Sequence, residues 1–180
     1  MMSIRKRELK RRYDLTAYMY DRRYEEIQRE KYEAVLTNVA RVDRILDLGC
    51  GTGMLLGPLG ERARLVVGVD MSAEMLRTAK KRATGALLVL ADADHLPFAD
   101  GSFDTVVSVT LLQNMPDPSK TMREAARVLR SNGKVIVTSL KHKHSQGQLA
   151  AWATAAELEP LKVGEIPGSE DVICVARRTL

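Results

Sequence analysis

The chain has 180 residues, 45% of them hydrophobic and 28% charged, with a formal net charge of +5. That length and apolar content define one domain able to bury a core, and they exclude a disordered chain. No apolar run is long enough for a membrane span, no signal peptide is expected in the basic N-terminus, and two cysteines make no disulfide framework. A reducing cytoplasmic setting is therefore expected.

The N-terminus is strongly basic: Arg5, Lys6, Arg7, Lys10, Arg11 and Arg12 stand against Glu8 alone, and Arg22 and Arg23 follow. Clustered cations attract phosphate backbones, while an Arg- and Glu-rich surface also serves solubility, and the cluster admits both uses. A mixed-charge helix is expected from about Tyr24 to Ala40.

Ile45-Leu46-Asp47-Leu48 is then a short apolar run ending in acid, and Gly49-Cys50-Gly51-Thr52-Gly53 follows with glycine at every second position. The run predicts a buried parallel strand, and the glycines allow a sharp turn on which a ligand can lie against bare peptide. Met54 to Ala63 is predicted helical. Strand, glycine loop and helix make a nucleotide-cofactor unit, and its spacing restricts the choice. A dinucleotide fingerprint needs its third glycine where Met54 stands, and a phosphate-cradling loop needs Lys-Ser or Lys-Thr, which is missing.

Leu65 to Asp70 is a second apolar strand ending in a carboxylate. Asp70 lies about 20 residues beyond the glycine loop, where a nucleotide-binding sheet places the acid that accepts ribose hydroxyls. Its other use is to cap the helix near Ser72, although Ser72 can do that alone. A third strand, Leu87 to Leu90, leads to Asp92, and a fourth spans Thr105 to Thr110. The loop Leu111 to Pro118 follows, with Asn114-Met115-Pro116 in it; the proline makes Met115 extended. A helix over Ser119 to Leu129, a turn at Ser131-Asn132-Gly133, and a fifth strand to Thr138 come next. A helix near Ser145 to Glu157 and strands near Leu161 to Ile166 and Asp171 to Arg177 complete the chain.

The D-x-G-x-G-x-G pattern of Asp47 to Gly53 resembles motif I of the Rossmann-like S-adenosylmethionine (SAM) methyltransferases. Leu96-Pro97-Phe98, Gly101-Ser102-Phe103-Asp104 and Arg127 to Lys134 resemble further segments of the same class I family, particularly its ubiquinone-methylase-like branch, from about Arg12 to Thr138. The resemblance implies a three-layer, doubly wound α/β fold with a seven-stranded, mostly parallel sheet and an antiparallel last strand. A single domain over 1–180 is expected, residues 1–23 being a basic extension that covers the cofactor. The implied cofactor is SAM, with S-adenosylhomocysteine as product and no metal.

In that family's terms Asp47 meets the methionine ammonium, Gly49, Gly51 and Gly53 form the cofactor loop, and Asp70 with Met71 holds the ribose. Asp92 with the Ala93 backbone contacts adenine, and Leu111 lies beside the cofactor. Tyr13 and Tyr20, in a Y-D-x-x-A-x-x-Y-D pattern, either close over it or pack on the core. Amine methylases place an Asn/Asp/Ser-Pro-Pro-aromatic turn after strand four; Asn114 and Pro116 resemble it loosely, with one residue between them and no aromatic. They are the candidate catalytic residues, facing an exocyclic amine.

A compressed C-terminal part leaves little for a substrate lid, which suits a large acceptor. The preferred function is methylation of a base nitrogen of rRNA or tRNA, for example cytosine N4. RNA would be held by the basic N-terminus and the Lys141–His144 region, with no membrane partner and a monomeric or dimeric state. The alternatives are a quinone or metabolite methyltransferase and a non-catalytic SAM-binding subunit.

Overall fold

The computed structural model describes residues 4, 6–8, 11, 14, 29–83 and 85–179. A helix over 29–36 (α1) leads into β1 (Val42–Leu48), α2 (Leu56–Gly60), β2 (Ala63–Asp70), α3 (Ala73–Arg82) and β3 (Leu87–Leu90). After β4 (Phe103–Ser108) come a short 3-10 turn at Leu112–Asn114, α4 (Pro118–Val128), β5 (Leu129–Leu140), α5 (Gln146–Ala155), β6 (Leu158–Glu165) and β7 (Asp171–Arg178). The seven strands form one sheet in the order β3-β2-β1-β4-β5-β7-β6. The first five run parallel, and β7 is antiparallel to both β5 and β6. This is the expected doubly wound architecture.

Side-chain alternation along the strands makes two cores. Leu46, Leu48, Val106, Val135 and Val137 face α4 and α5. Ile45, Val66, Val107 and Ile136 face α1, α2 and α3. Strand order reverses between β1 and β4, so a crevice opens beyond their carboxyl ends. Ser108 Oγ donates to Leu48 O at 3.0 Å and pins the two strands where the crevice begins.

Several boundaries differ from the sequence reading, and β4 itself lies two residues earlier than expected. The helix after the glycine loop is shorter, because Gly57, Pro58 and Gly60 hold down its propensity. The fifth strand starts four residues early: Leu129 pairs with Phe103 straight after α4, and the register jumps before Thr105 meets Lys134. The expected turn is therefore a bulge inside the strand, with Asn132 at φ 62°. A side chain on Gly133 would sit 2.8 Å from Arg130 O, so only glycine passes there. The penultimate strand also begins earlier, at Leu158.

The segments that look most like the family in sequence are partly scaffold. Asp104 is buried and accepts from the backbone N–H of Asp43 (2.9 Å) and Arg44 (2.7 Å), and it pairs with Arg130. It thereby ties the starts of β1, β4 and β5. Arg127 donates to Phe98 O (2.8 Å) and Leu96 O (3.1 Å) and pairs with Glu124 and Asp100, holding the 96–100 loop on α4. Replacing Asp104 by Ala leaves two inward N–H groups and Arg130 without their acceptor. Asp104→Ala is expected to cost about 2–4 kcal/mol of stability, read from urea midpoints at unchanged slope.

Candidate cofactor and methyl-transfer site

The glycine loop folds back on the end of β2: Gly49 N and Cys50 N both donate to Val69 O, at 2.8 and 2.9 Å. Gly53 has φ 78°, and a Cβ there would lie 2.9 Å from the Cβ of Ala79 on α3. Gly53 thus allows close packing of loop on helix. Gly49 and Gly51 instead line the crevice.

The crevice has two adjoining lobes. The larger holds about 630 Å³ of space, part of it open to solvent, among Asp70, Met71, Met75, Asp92, Leu111 and Asn114. Ala93 is also in its wall. The smaller, of about 350 Å³, lies among Tyr32, Asp47, Cys50, Thr52 and Leu55. Gly49, Gly51, Val109 and Thr110 line both. Three carboxylates from the ends of β1, β2 and β3 are therefore strung along one trough.

Their environments differ. Asp47 is 3% exposed; burial, aided by the nearby Asp70 charge, pushes its pKa up to about 7. Asp70 is also raised by burial, but backbone donors oppose the shift. Its Oδ2 accepts from Gly51 N at 3.0 Å and its Oδ1 from Ser72 N at 2.8 Å. Ser72 Oγ, not Asp70, caps α3 by accepting from Met75 N. At Asp92 burial works upward, but Lys6 and the Asp94 N–H outweigh it and keep the carboxyl below its ordinary range.

Lys6 is the chief correction to the sequence reading of the basic N-terminus. Its side chain is buried, with Nζ 2.5 Å from both Asp92 Oδ1 and Asp94 Oδ2. Asp94 in turn accepts from Thr121 Oγ1 on α4. Lys6 is thus a counter-ion of the trough and is withdrawn from any phosphate. Arg7 and Arg11 on the same segment remain exposed. Asp14 accepts from Ser72 Oγ at 2.5 Å, which ties it to the N-cap of α3. Tyr13 and Tyr20 lie outside the described residues.

In the Lys141–His144 region, His142 and Lys143 are exposed and the other two residues have partners within the chain. Lys141 pairs with Glu170 at 3.2 Å. His144 bonds Ser139 Oγ at 2.8 Å and meets Trp152 edge to face. Burial, and then Lys143, hold its pKa down.

Asn114 is brought to the trough, whereas Pro116 is exposed and outside its lining. Met115 is extended, as its proline requires. Asn114 Nδ2 donates to Thr110 O at 3.3 Å. Thr110 was missed in the sequence. It follows β4 with φ 53°, an outlier for a β-branched residue, and its N–H donates to Thr138 Oγ1 at 3.0 Å. It stands where the two lobes join, and its position at the end of an apolar strand segment, two residues past β4, was the available signal. Tyr32, from α1, carried no such signal.

SAM fits this set by its chemistry. The larger lobe offers apolar walls with carboxylates for hydroxyl and amine donors, and the smaller offers a buried acid for a cation.

The sheet order and the crevice are those of the Rossmann-like SAM-dependent methyltransferase fold. A model of the methyltransferase domain matches residues 46–137, and the chain belongs to that family. Among curated relatives, the demethylmenaquinone methyltransferase of Renibacterium salmoninarum is 37% identical over 99 residues, which are 55% of this chain and 42% of that one. The malonyl-[acyl-carrier protein] O-methyltransferase of Marinomonas sp. is 34% identical over 154 residues, 82% of this chain and 57% of that one. The chain spans about half the length of the curated relatives it matches. A methyltransferase solved in complex with the Haloferax volcanii Trm112 methyltransferase activator superimposes with a TM-score of 0.84. It is 21% identical, and the match covers 93% of this chain and 98% of that one, a likeness of fold.

Asp47 generates a pH dependence. Below pH about 7 it carries a proton, which a ligand ammonium must displace. SAM affinity is expected to rise with pH, by up to roughly tenfold per unit below the pKa, and to level off above it. Calorimetry in buffers of different ionisation enthalpy should show proton release on the rising limb, and Asp47→Asn should abolish that release.

Proposed function

We propose that this chain transfers the methyl group of SAM to a base nitrogen of RNA. The observation that carries the reading is the donor trough itself, which opens at Asn114 and has the exposed Arg7 and Arg11 on a segment anchored to its rim by Lys6.

Bound SAM supplies a methyl group on a sulfonium, activated for in-line displacement, and departs as S-adenosylhomocysteine. Asp70 accepts the ribose hydroxyls and Asp92, beside the Ala93 backbone, accepts the adenine amine. Met71, Met75 and Leu111 enclose the ring, and Asp47 pairs with the ammonium. Gly49 and Gly51 let the backbone approach, and Thr110 marks the join of the lobes where the methyl group would lie. Asn114 offers an amide at the mouth to accept an N–H of an exocyclic amine, leaving the nitrogen lone pair turned inward. Holding donor and acceptor in line supplies much of the acceleration. The proton released from the methylated nitrogen passes to solvent.

The relatives support a second reading. One is a methylase of demethylmenaquinone, and Leu111 and Met115 present an apolar wall suited to such an acceptor. The likeness to the methyltransferase solved with Trm112 further supports work in complex with an activator protein.

Labelled SAM incubated with undermethylated RNA, protein and small-molecule pools separates these readings. RNA labelling is expected, with nucleoside mass spectrometry naming the atom; label confined to the small-molecule pool would establish the second reading instead. Asn114→Ala should lower turnover by about 10-fold or more while SAM affinity stays nearly unchanged.

A further inference from the structure

Two acids at the end of β3 share one ammonium. Lys6 Nζ lies 2.5 Å from Asp92 Oδ1 and 2.5 Å from Asp94 Oδ2, and its side chain is 5% exposed. The Asp94 N–H also donates to Asp92 Oδ1, at 3.0 Å. Thr121 Oγ1 on α4 donates to Asp94 Oδ1 at 2.5 Å. Asp92 Oδ1 therefore has two donors, and each oxygen of Asp94 has one. Of these four oxygens, Asp92 Oδ2 alone accepts nothing from the described residues.

The two acids differ in place. Asp92 lines the larger lobe, and its side chain is 28% exposed. Asp94 is buried and outside the lining. The one unused acceptor thus belongs to the acid that borders the cofactor space. A carboxylate with two donors on one oxygen cannot turn about its Cβ–Cγ bond without losing both. The ammonium also offsets the repulsion between two acids only two residues apart.

We infer that Lys6 is a positioning residue for base selection: it fixes Asp92 with Oδ1 occupied and Oδ2 open, so that the lobe takes a base bearing an exocyclic amine and rejects one bearing a carbonyl in its place. The inference rests on the assignment of Asp92 to the adenine amine under Proposed function. An N–H completes the open oxygen. A carbonyl would set its lone pairs against a carboxylate that Lys6 keeps from taking a proton. Lys6 is not displaced by the base, because the base uses the oxygen that Lys6 leaves.

Calorimetry with S-adenosylhomocysteine and with S-inosylhomocysteine, in which a 6-oxo group replaces the 6-amino group, reads this selection without a methyl acceptor. The wild-type chain is expected to bind the adenosyl compound about 100-fold more tightly. In Lys6→Met the two acids lose their common cation, one takes a proton, and Asp92 can then donate to the 6-oxo oxygen. The ratio should fall to about 10-fold or below, chiefly through weaker binding of the adenosyl compound. Glu8→Gln, at an exposed position of the same segment, should leave the ratio unchanged.

A second measurement needs only the wild-type chain, and it tests the inference even where Lys6→Met does not fold. Lys6 should resist acylation by an amine-reactive ester, read by peptide mass spectrometry, equally in the free chain and with S-adenosylhomocysteine bound.

An unchanged ratio in Lys6→Met overturns the inference, since a mere tether would weaken both ligands alike. So does acylation of Lys6 that rises when S-adenosylhomocysteine is added, because the base would then displace the ammonium. Equal binding of the two compounds by the wild type would overturn the adenine role of Asp92 and the inference with it. The identity of the methyl acceptor enters none of these readings.

Discussion

Three carboxylates drawn to one end of a parallel sheet set the terms for everything around them. Asp47, Asp70 and Asp92 leave the carboxyl ends of neighbouring strands, so the topology alone places them in a row. Burial makes their charge expensive, most clearly at Asp47, which is raised to about 7. Each is answered differently. Asp70 is met by the backbone N–H groups of Gly51 and Ser72, and Asp92 by the Lys6 ammonium. At Asp47 no donor among the described residues opposes the effect of burial.

The glycine loop and the strain at Thr110 serve that trough. Gly51 sends its N–H to Asp70, while Gly53 lets the loop sit on Ala79. Thr110 is kept at φ 53° by Thr138 on one side and Asn114 on the other. The end of β5 and the loop after β4 are thus connected through one residue. Behind them Asp104 and Arg127 fasten strand starts and the 96–100 loop, outside the lining of the trough. A segment's likeness to a family therefore does not by itself make its residues part of the site. Asp70 touches the trough, and Asp104 holds up its walls.

Much of the fold was legible because its signals are local. Apolar runs ending in acid marked β1, β2 and β3, and Ser145 before the last helix supplies a capping box. Boundaries failed where distant partners decide them. Leu129 joins β5 because Phe103 waits beside it, which no reading of Ser131-Asn132-Gly133 discloses. Lys6 looked like one cation among several in a tail. Its role comes from two acids 86 and 88 residues away. His144 was likewise drawn to Ser139 and Trp152.

The amino-acid sequence by itself determined the order of strands and helices, the glycine loop, and the three acids that end successive strands. Each of those is written in spacing and hydrophobic pattern within a few residues. Tertiary structure alone decided which charges are balanced inside the protein and that Thr110 stands between the lobes. Those depend on strand order and on contacts between residues remote in the chain, and burial, which sets the cost of every unpaired charge, exists only once the layers have closed.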